Sequence, residues 1–320
     1  METPLYYLAR ALVAVLQALP LTWAARLGRA GGALAYWLDA RHRRVATRNL
    51  TMCFGHENSA AEIRALAREN FRRIGENFAC AVKTAAMSFE ELRPHVEFVG
   101  NRQILSPPSG GKPPGVVAAI GHFGNFELYA RFHHFAPGYA CATTYRAFRQ
   151  PSLNRLLQSL RERSGCLFFE RRFDAAALKA FMNQPGVMLG LLADQSAGNH
   201  GLRLPFLGHD CSTSSAPAVF ALRYNCALCP GVCYRVGLAR WRIEAGEEIP
   251  TRTNGKARSA EAIMHDVNRA FEAAVRRDPA NWFWVHNRWK ESKAQSLKSK
   301  VHSPQSTVHS PQSEGVGDGG

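Results

Sequence analysis

Gly115-Val116-Val117-Ala118-Ala119-Ile120, followed directly by Gly121-His122-Phe123-Gly124-Asn125-Phe126-Glu127, decides the fold of this 320-residue chain. The first six residues form a short apolar run bounded by glycine, the pattern of a strand buried on both faces. The next seven carry a histidine and, five positions on, a carboxylate. They lead into a segment of helical character near residues 125–135. A histidine at the end of a buried strand and a carboxylate at the mouth of a helix is where an α/β enzyme places a general base and its orienting partner. The spacing alone carries little weight. With twelve histidines and 25 acidic residues, about one His-x4-Asp/Glu match is expected by chance. Three occur: His122/Glu127, His286/Glu291 and His309/Glu314. Only the first follows a strand pattern.

Working outward, further apolar runs occur at Tyr139–Thr144, Leu167–Phe169, Val187–Ala193 and Ala227–Val236, with a shorter one at Trp241–Glu244. Helical stretches near 151–164, 174–183 and 216–225 separate them. Strands alternating with helices predict an α/β domain with a largely parallel sheet. Ser259 to Arg277 predicts a final helix with Ile263, Val267, Phe271 and Val275 on one face, ended by Asp278-Pro279. Residues 1–90 read as helical throughout. Ile63, Leu66, Ala67, Phe71 and Ile74 form an apolar stripe at helical spacing.

Ala11 to Ala25 is nearly uncharged and flanked by Arg10 and Arg26. Fifteen helical residues span about 22 Å, short of the ~30 Å hydrocarbon core of a bilayer. Pro20 should kink or split the helix. An interfacial helix with Tyr6, Tyr7 and Trp23 as anchors suits these residues better than a full span. A core helix of the globular domain is the other reading. The chain therefore divides into an N-terminal membrane-associating region (residues 1–30), an α/β domain (31–290) and a tail (291–320). In the tail, Val301-His302-Ser303-Pro304-Gln305-Ser306 recurs as Val308-His309-Ser310-Pro311-Gln312-Ser313. A tail rich in Ser, Pro and Gln cannot bury a core and is expected to be disordered.

A formal net charge of +15 and a pI near 9.9 call for an anionic partner or surface. Anionic lipid and nucleic acid both qualify. No RNP-like, zinc-finger or helix-turn-helix signature supports nucleic acid, and the apolar N-terminus argues against it. Arginines recur in clusters, at Arg41, Arg43, Arg44 and Arg48 and again at Arg161, Arg163, Arg171 and Arg172. The eight cysteines do not require a disulfide framework in a chain with this much core. Cys226, Cys229 and Cys233 have a spacing that suggests a metal site, but their segment reads equally as a buried strand. No metal or cofactor is expected.

If His122 sits in the loop and Glu127 in the first helical turn, the carboxylate can reach back to one ring nitrogen. The other nitrogen is then free to take a proton from a substrate hydroxyl. The absence of a Gly-x-Ser-x-Gly elbow argues against a covalent serine. A base that activates an external hydroxyl suits transfer of an already activated acyl group. A structural histidine–glutamate pair is the alternative. Gly124 permits close backbone approach of a substrate, and the helix start at Asn125 offers backbone donors for an oxyanion or phosphate.

His122-Phe-Gly-Asn-Phe-Glu127 resembles the His-x4-Asp/Glu block of bacterial lipid A biosynthesis acyltransferases, relatives of the glycerolipid acyltransferases. The resemblance covers roughly residues 5–290. It includes Arg48-Asn49-Leu50 with Cys53-Phe54-Gly55, Tyr145-Arg146, Gly165 to Arg171, Ala193-Asp194-Gln195, and Leu204-Pro205-Phe206-Leu207-Gly208. It ends on Trp282-Phe283-Trp284-Val285-His286-Asn287-Arg288-Trp289-Lys290. Leu207 departs from the family's second phenylalanine, and Phe126 stands where tryptophan is frequent. The resemblance implies an α/β/α acyltransferase domain of the glycerolipid-acyltransferase type on the cytoplasmic face of the bacterial inner membrane. It implies transfer of a fatty acyl chain from acyl carrier protein or acyl-CoA to a hydroxyl of an anionic lipid A precursor, or of another lysolipid or glycolipid. His122 would be the base and Glu127 its partner. Arg146, Arg161 and Arg171 would meet phosphates or sugar, and Asp194 would support the site.

Overall fold

Pro20 divides the N-terminal apolar segment into two helices, α1 (Pro4–Ala18) and α2 (Leu21–Leu38). Proline supplies no backbone donor and its fixed φ suits a helix start. The computed structural model describes residues 4–100 and 113–290. The expected disordered tail and its repeat lie outside the described residues. Two more helices follow, α3 (Ala40–Phe54) and α4 (Ala60–Ala85). Ser59 and Glu62 form a reciprocal capping box at the start of α4. Helices α2 and α4 pack very closely, because Gly28 and Gly32 face Gly75 and the backbone at Phe71. A Cβ at any of the three glycines would run into the opposite main chain. The boundary expected at residue 30 thus falls inside α2, and Met1–Trp289 forms one unit. No helix among the described residues is long and apolar enough to cross a membrane.

A short turn of helix, α5 (Phe89–Leu92), precedes the first strand. The strands are β1 (Val96–Gly100), β2 (Val116–Ile120), β3 (Ala140–Tyr145), β4 (Leu167–Glu170), β5 (Val187–Leu192), β6 (Leu202–Phe206), β7 (His209–Thr213), β8 (Ala227–Gly237) and β9 (Arg240–Ala245), with a small hairpin of β10 (Arg252–Thr253) and β11 (Lys256–Ala257). Between them lie a 3-10 helix (Phe126–His134) and the helices α6 (Pro151–Arg161), α7 (Ala175–Met182), α8 (Ala216–Tyr224) and α9 (Ala260–Arg277). The main sheet has seven strands in the order β1-β9-β8-β2-β5-β3-β4. It is parallel except where β8 and β9 pair antiparallel. The fold is a mixed α/β architecture, as the alternating pattern predicts.

Strand β2 is central and shows why a continuous apolar run was needed. Val117 and Ala119 face the main core, with Val267 and Phe271 of α9. Val116, on the opposite face, packs with Tyr139, Cys141, Met188 and Cys229. Two strand regions escape the sequence pattern. Strand β1 lies at the sheet edge, where only Val96 is fully buried. The hairpin of β6 and β7 turns through Leu207 and Gly208, both at positive φ. Leucine is a poor residue for that conformation. Burial of Leu207 and a bond from its amide to Glu272 (2.6 Å) hold it there.

Candidate active site

The register of β2 against β5 builds the centre of the site. Ile120 pairs with Leu192, so the residues two positions beyond, His122 and Asp194, emerge side by side at the C-terminal edge of adjacent parallel strands. That edge is where open α/β sheets bind ligands. The Asp194 carboxylate accepts two bonds from His122, from the backbone amide to Oδ2 (2.8 Å) and from ring Nδ1 to Oδ1 (2.8 Å). It also accepts one from the Trp282 indole at Oδ2 (2.8 Å). Asp194 is completely buried. Burial alone would raise its pKa, but the adjacent His122 charge and these three donors lower it to about 2. Asp194 therefore stays ionised. An ionised carboxylate only accepts, so Nδ1 of His122 carries the proton and Nε2 is left as the basic nitrogen.

This geometry corrects the expected pairing of His122 with Glu127. Glu127 instead forms a two-point ion pair with Arg161, through Nη2 to Oε1 (2.6 Å) and Nε to Oε2 (3.1 Å). The reason is local. Phe126 opens a 3-10 helix directly after Asn125, and its ring packs edge-on against the His122 imidazole at 4.8 Å. Phe283 flanks the same ring at 5.9 Å. The histidine is thus held between a carboxylate and two aromatic rings, with its side chain 16% exposed.

Gly124 and Asn125 also differ from expectation. Gly124 has positive φ, and its close neighbour is the Cys233 carbonyl, 2.5 Å from where a Cβ would stand. The glycine thus admits protein backbone, not substrate. The Asn125 side chain is buried with both polar atoms unpartnered among the described residues. Neither residue lines the main cavity.

The C-terminal aromatic segment fastens the site from behind. Phe123 and Trp282 form an antiparallel bridge. Asn70 of α4 donates to the carbonyls of Ala280 (2.9 Å) and Trp282 (2.5 Å). Asn49 of α3 donates to those of Trp284 (3.0 Å) and His286 (2.9 Å). The N-terminal helices therefore position the indole that holds Asp194. In the sequence, Trp282 carries no assigned role and Asp194 only a general supporting one. The available signal was that His122 and Asp194 each stand two residues past a buried strand.

His122 opens onto a cavity of about 930 Å³, within the range of small-molecule sites. Its polar mouth holds Glu127 and three predicted arginines, Arg146 after β3, Arg171 after β4 and Arg161 at the end of α6. Arg161 also lies 4.9 Å from the Phe168 ring centroid. Arg171 donates to the Thr144 hydroxyl at 3.3 Å. Arg146 is exposed and has no partner among the described residues. From the mouth the cavity extends over one sheet face. Its floor uses alternate residues, Val116, Ala118 and Ile120 of β2 and Met188, Gly190 and Leu192 of β5, with Cys229 and Gly231 of β8. Small residues at the middle of three neighbouring strands leave the volume open. The 3-10 helix contributes Tyr129 and Phe132 to the same cavity. Arg131 ties that helix to the end of α4 by donating to the carbonyls of Thr84, Ala85 and Met87.

Cys226, Cys229 and Cys233 lie at or in β8, buried among apolar neighbours. Among the described residues no group of three or more His, Cys, Asp or Glu side chains is placed to hold a metal.

Residues 1–291 match the family model described as bacterial lipid A biosynthesis acyltransferase, and the chain belongs to that family. The family is one of acyltransferases acting on a lipid. No curated protein sequence matches the chain.

Proposed function

We propose, from this membership and the arrangement around His122, that the protein transfers a fatty acyl chain from a thioester donor to a hydroxyl of a lipid A precursor. The observation that carries the reading is the His122–Asp194 contact at the mouth of a cavity that is cationic at one end and apolar along its floor. Nε2 of His122 takes the proton of the acceptor hydroxyl. The alkoxide oxygen attacks the thioester carbonyl carbon, and the tetrahedral intermediate expels the thiolate. The imidazolium, stabilised by Asp194, returns its proton to the sulfur. An ester and a free thiol result, with no enzyme nucleophile. The donor is acyl carrier protein or acyl-CoA.

Arg146, Arg161 and Arg171 suit the phosphate or sugar groups of the acceptor, since guanidinium matches phosphate in two-point geometry. Glu127 acts by fixing Arg161. The apolar floor suits the acyl chain. The exposed apolar residues of α1 and α2, including Leu8, Leu12, Trp23, Leu27 and Trp37, suit an interfacial position on the cytoplasmic face of the bacterial inner membrane.

The test is incubation of purified protein with acyl carrier protein loaded with a fatty acid, or acyl-CoA, and candidate acceptors. The expected result is a mass gain of one acyl chain on the lipid A precursor. A gain only on another lysolipid or glycolipid would reassign the acceptor. His122→Ala should abolish the gain while leaving the circular dichroism spectrum unchanged; full activity in that variant would remove His122 from the chemistry.

A further inference from the structure

A second concavity, of about 620 Å³, lies on the outer surface of α3 and α4. Arg43, Arg44, Thr47, Arg48, Thr51 and Arg64 line it. Arg43 is spent within the fold, donating to the carbonyls of Tyr36 (2.7 Å) and Trp37 (2.9 Å) at the end of α2. Arg44, Arg48 and Arg64 are exposed and have no hydrogen bond or ion pair among the described residues. Arg44 and Arg48 stand four apart on one helix, a like-charge spacing that costs stability unless an anion relieves it. Thr47 and Thr51, also four apart, line the same groove.

The groove borders the exposed face of α2. Trp23 (57% exposed), Leu27 (49%), Leu34 (58%), Trp37 (65%) and Leu38 (74%) recur there at helical spacing, opposite the glycine face that packs on α4. Arg68 lies 5.7 Å from the Trp37 ring centroid, linking the two surfaces. An apolar aromatic stripe edged by uncompensated guanidiniums matches the boundary between acyl chains and phosphate headgroups. A soluble acidic protein would meet the charges but leave the stripe in water.

We infer that this groove binds the phosphate headgroup of an anionic membrane phospholipid, docking α2 on the bilayer at a site separate from the His122 cavity. The inference rests on the membrane-surface part of the proposed function. The groove supplies the charge-selective part of binding and the α2 stripe the apolar part.

Vesicle co-sedimentation of the full chain tests it, using phosphatidylcholine vesicles with and without phosphatidylglycerol. The wild type should bind the anionic vesicles more tightly. An R44Q/R48Q/R64Q variant should lose that increment, about 100-fold for three arginines, while binding pure phosphatidylcholine as the wild type does. It should also keep its rate on acceptor in neutral detergent. Failure of the wild type to bind either vesicle would overturn the membrane reading itself. An unchanged anionic increment in the triple variant would overturn the groove alone. Loss of rate in detergent with an acyl carrier protein donor would also overturn it, assigning the groove to the acidic donor protein.

Discussion

Nδ1 of His122 lies 2.8 Å from Oδ1 of Asp194, a residue 72 positions away, while Glu127, only five positions away, is bound to Arg161. The two carboxylates near His122 therefore have different partners. Asp194 sets the tautomer of the imidazole. Glu127 sets the position of a cation at the cavity mouth.

Asp194→Asn should lower kcat by roughly 10²- to 10⁴-fold, the range over which a positioned acid–base group contributes. An amide can offer its NH₂ to Nδ1 and so favour the wrong tautomer. It also removes the charge that stabilises the imidazolium. Asp194→Ala should in addition destabilise the fold, because the His122 amide and the Trp282 indole lose a buried acceptor at about 1–3 kcal/mol each. Steady-state kinetics and thermal denaturation of the two variants separate these effects.

Glu127→Gln should raise KM for a phosphorylated acceptor more than it lowers kcat, because it loosens Arg161 and leaves the His122–Asp194 contact intact. Arg161→Gln should do the same, and the double variant should be little worse than either single one. A pH–rate profile that shifts in Glu127→Gln as it does in Asp194→Asn would restore Glu127 as the partner of the base.

Gly190→Val should shift donor preference towards shorter acyl chains. A Cβ at Gly190 would approach the Ile120 Cδ1 at 3.2 Å, and the two further methyls of valine would fill the floor of the cavity. Each methylene kept out of an apolar site forfeits about 0.8 kcal/mol. Competition between donors of different length, read by mass spectrometry, gives the new preference. An unchanged preference would place the acyl chain elsewhere.

Stability should fall as pH drops below about 6.5. Burial lowers the pKa of His286, with His122 and Arg288 opposing its charge and Asp194 favouring it. Burial lowers His133 and His134 in the same direction. Each lowered histidine binds its proton more readily unfolded than folded. Its contribution is complete above the unfolded value near 6.5 and is lost as pH falls through the folded one. One such group gives a slope of at most about 1.4 kcal/mol per pH unit. His286→Gln should flatten the pH dependence of the melting temperature below about pH 6.5. The Nδ1 of His286 has no hydrogen-bond partner among the described residues to lose. Asp194, with its pKa near 2, should add acid sensitivity only below about pH 4.

Local periodicity carried much of the fold. The runs at Val116, Val187 and Ala227 became the central strands β2, β5 and β8, because strands buried on both faces need unbroken apolar sequence. Strand β1 was illegible, since an edge strand buries little. The β6–β7 turn was illegible because Leu207 adopts its conformation through tertiary anchoring by Glu272. Arg146, Arg161 and Arg171 were picked out only through the family resemblance; that they line one cavity is visible only in the fold.

By itself the sequence determined where the central strands and the long helices form, which histidine stands at the end of a buried strand, and which family the motifs resemble. These are local properties, written in hydropathy spacing and short blocks. The tertiary structure decided what the histidine is bonded to. Sheet order and register brought Asp194 beside His122, and the Asn49 and Asn70 anchors on the N-terminal helices brought the Trp282 segment behind it. Pairing across 72 residues depends on which strands become neighbours, and that follows from burying all the apolar faces at once. No window of sequence around His122 contains that information.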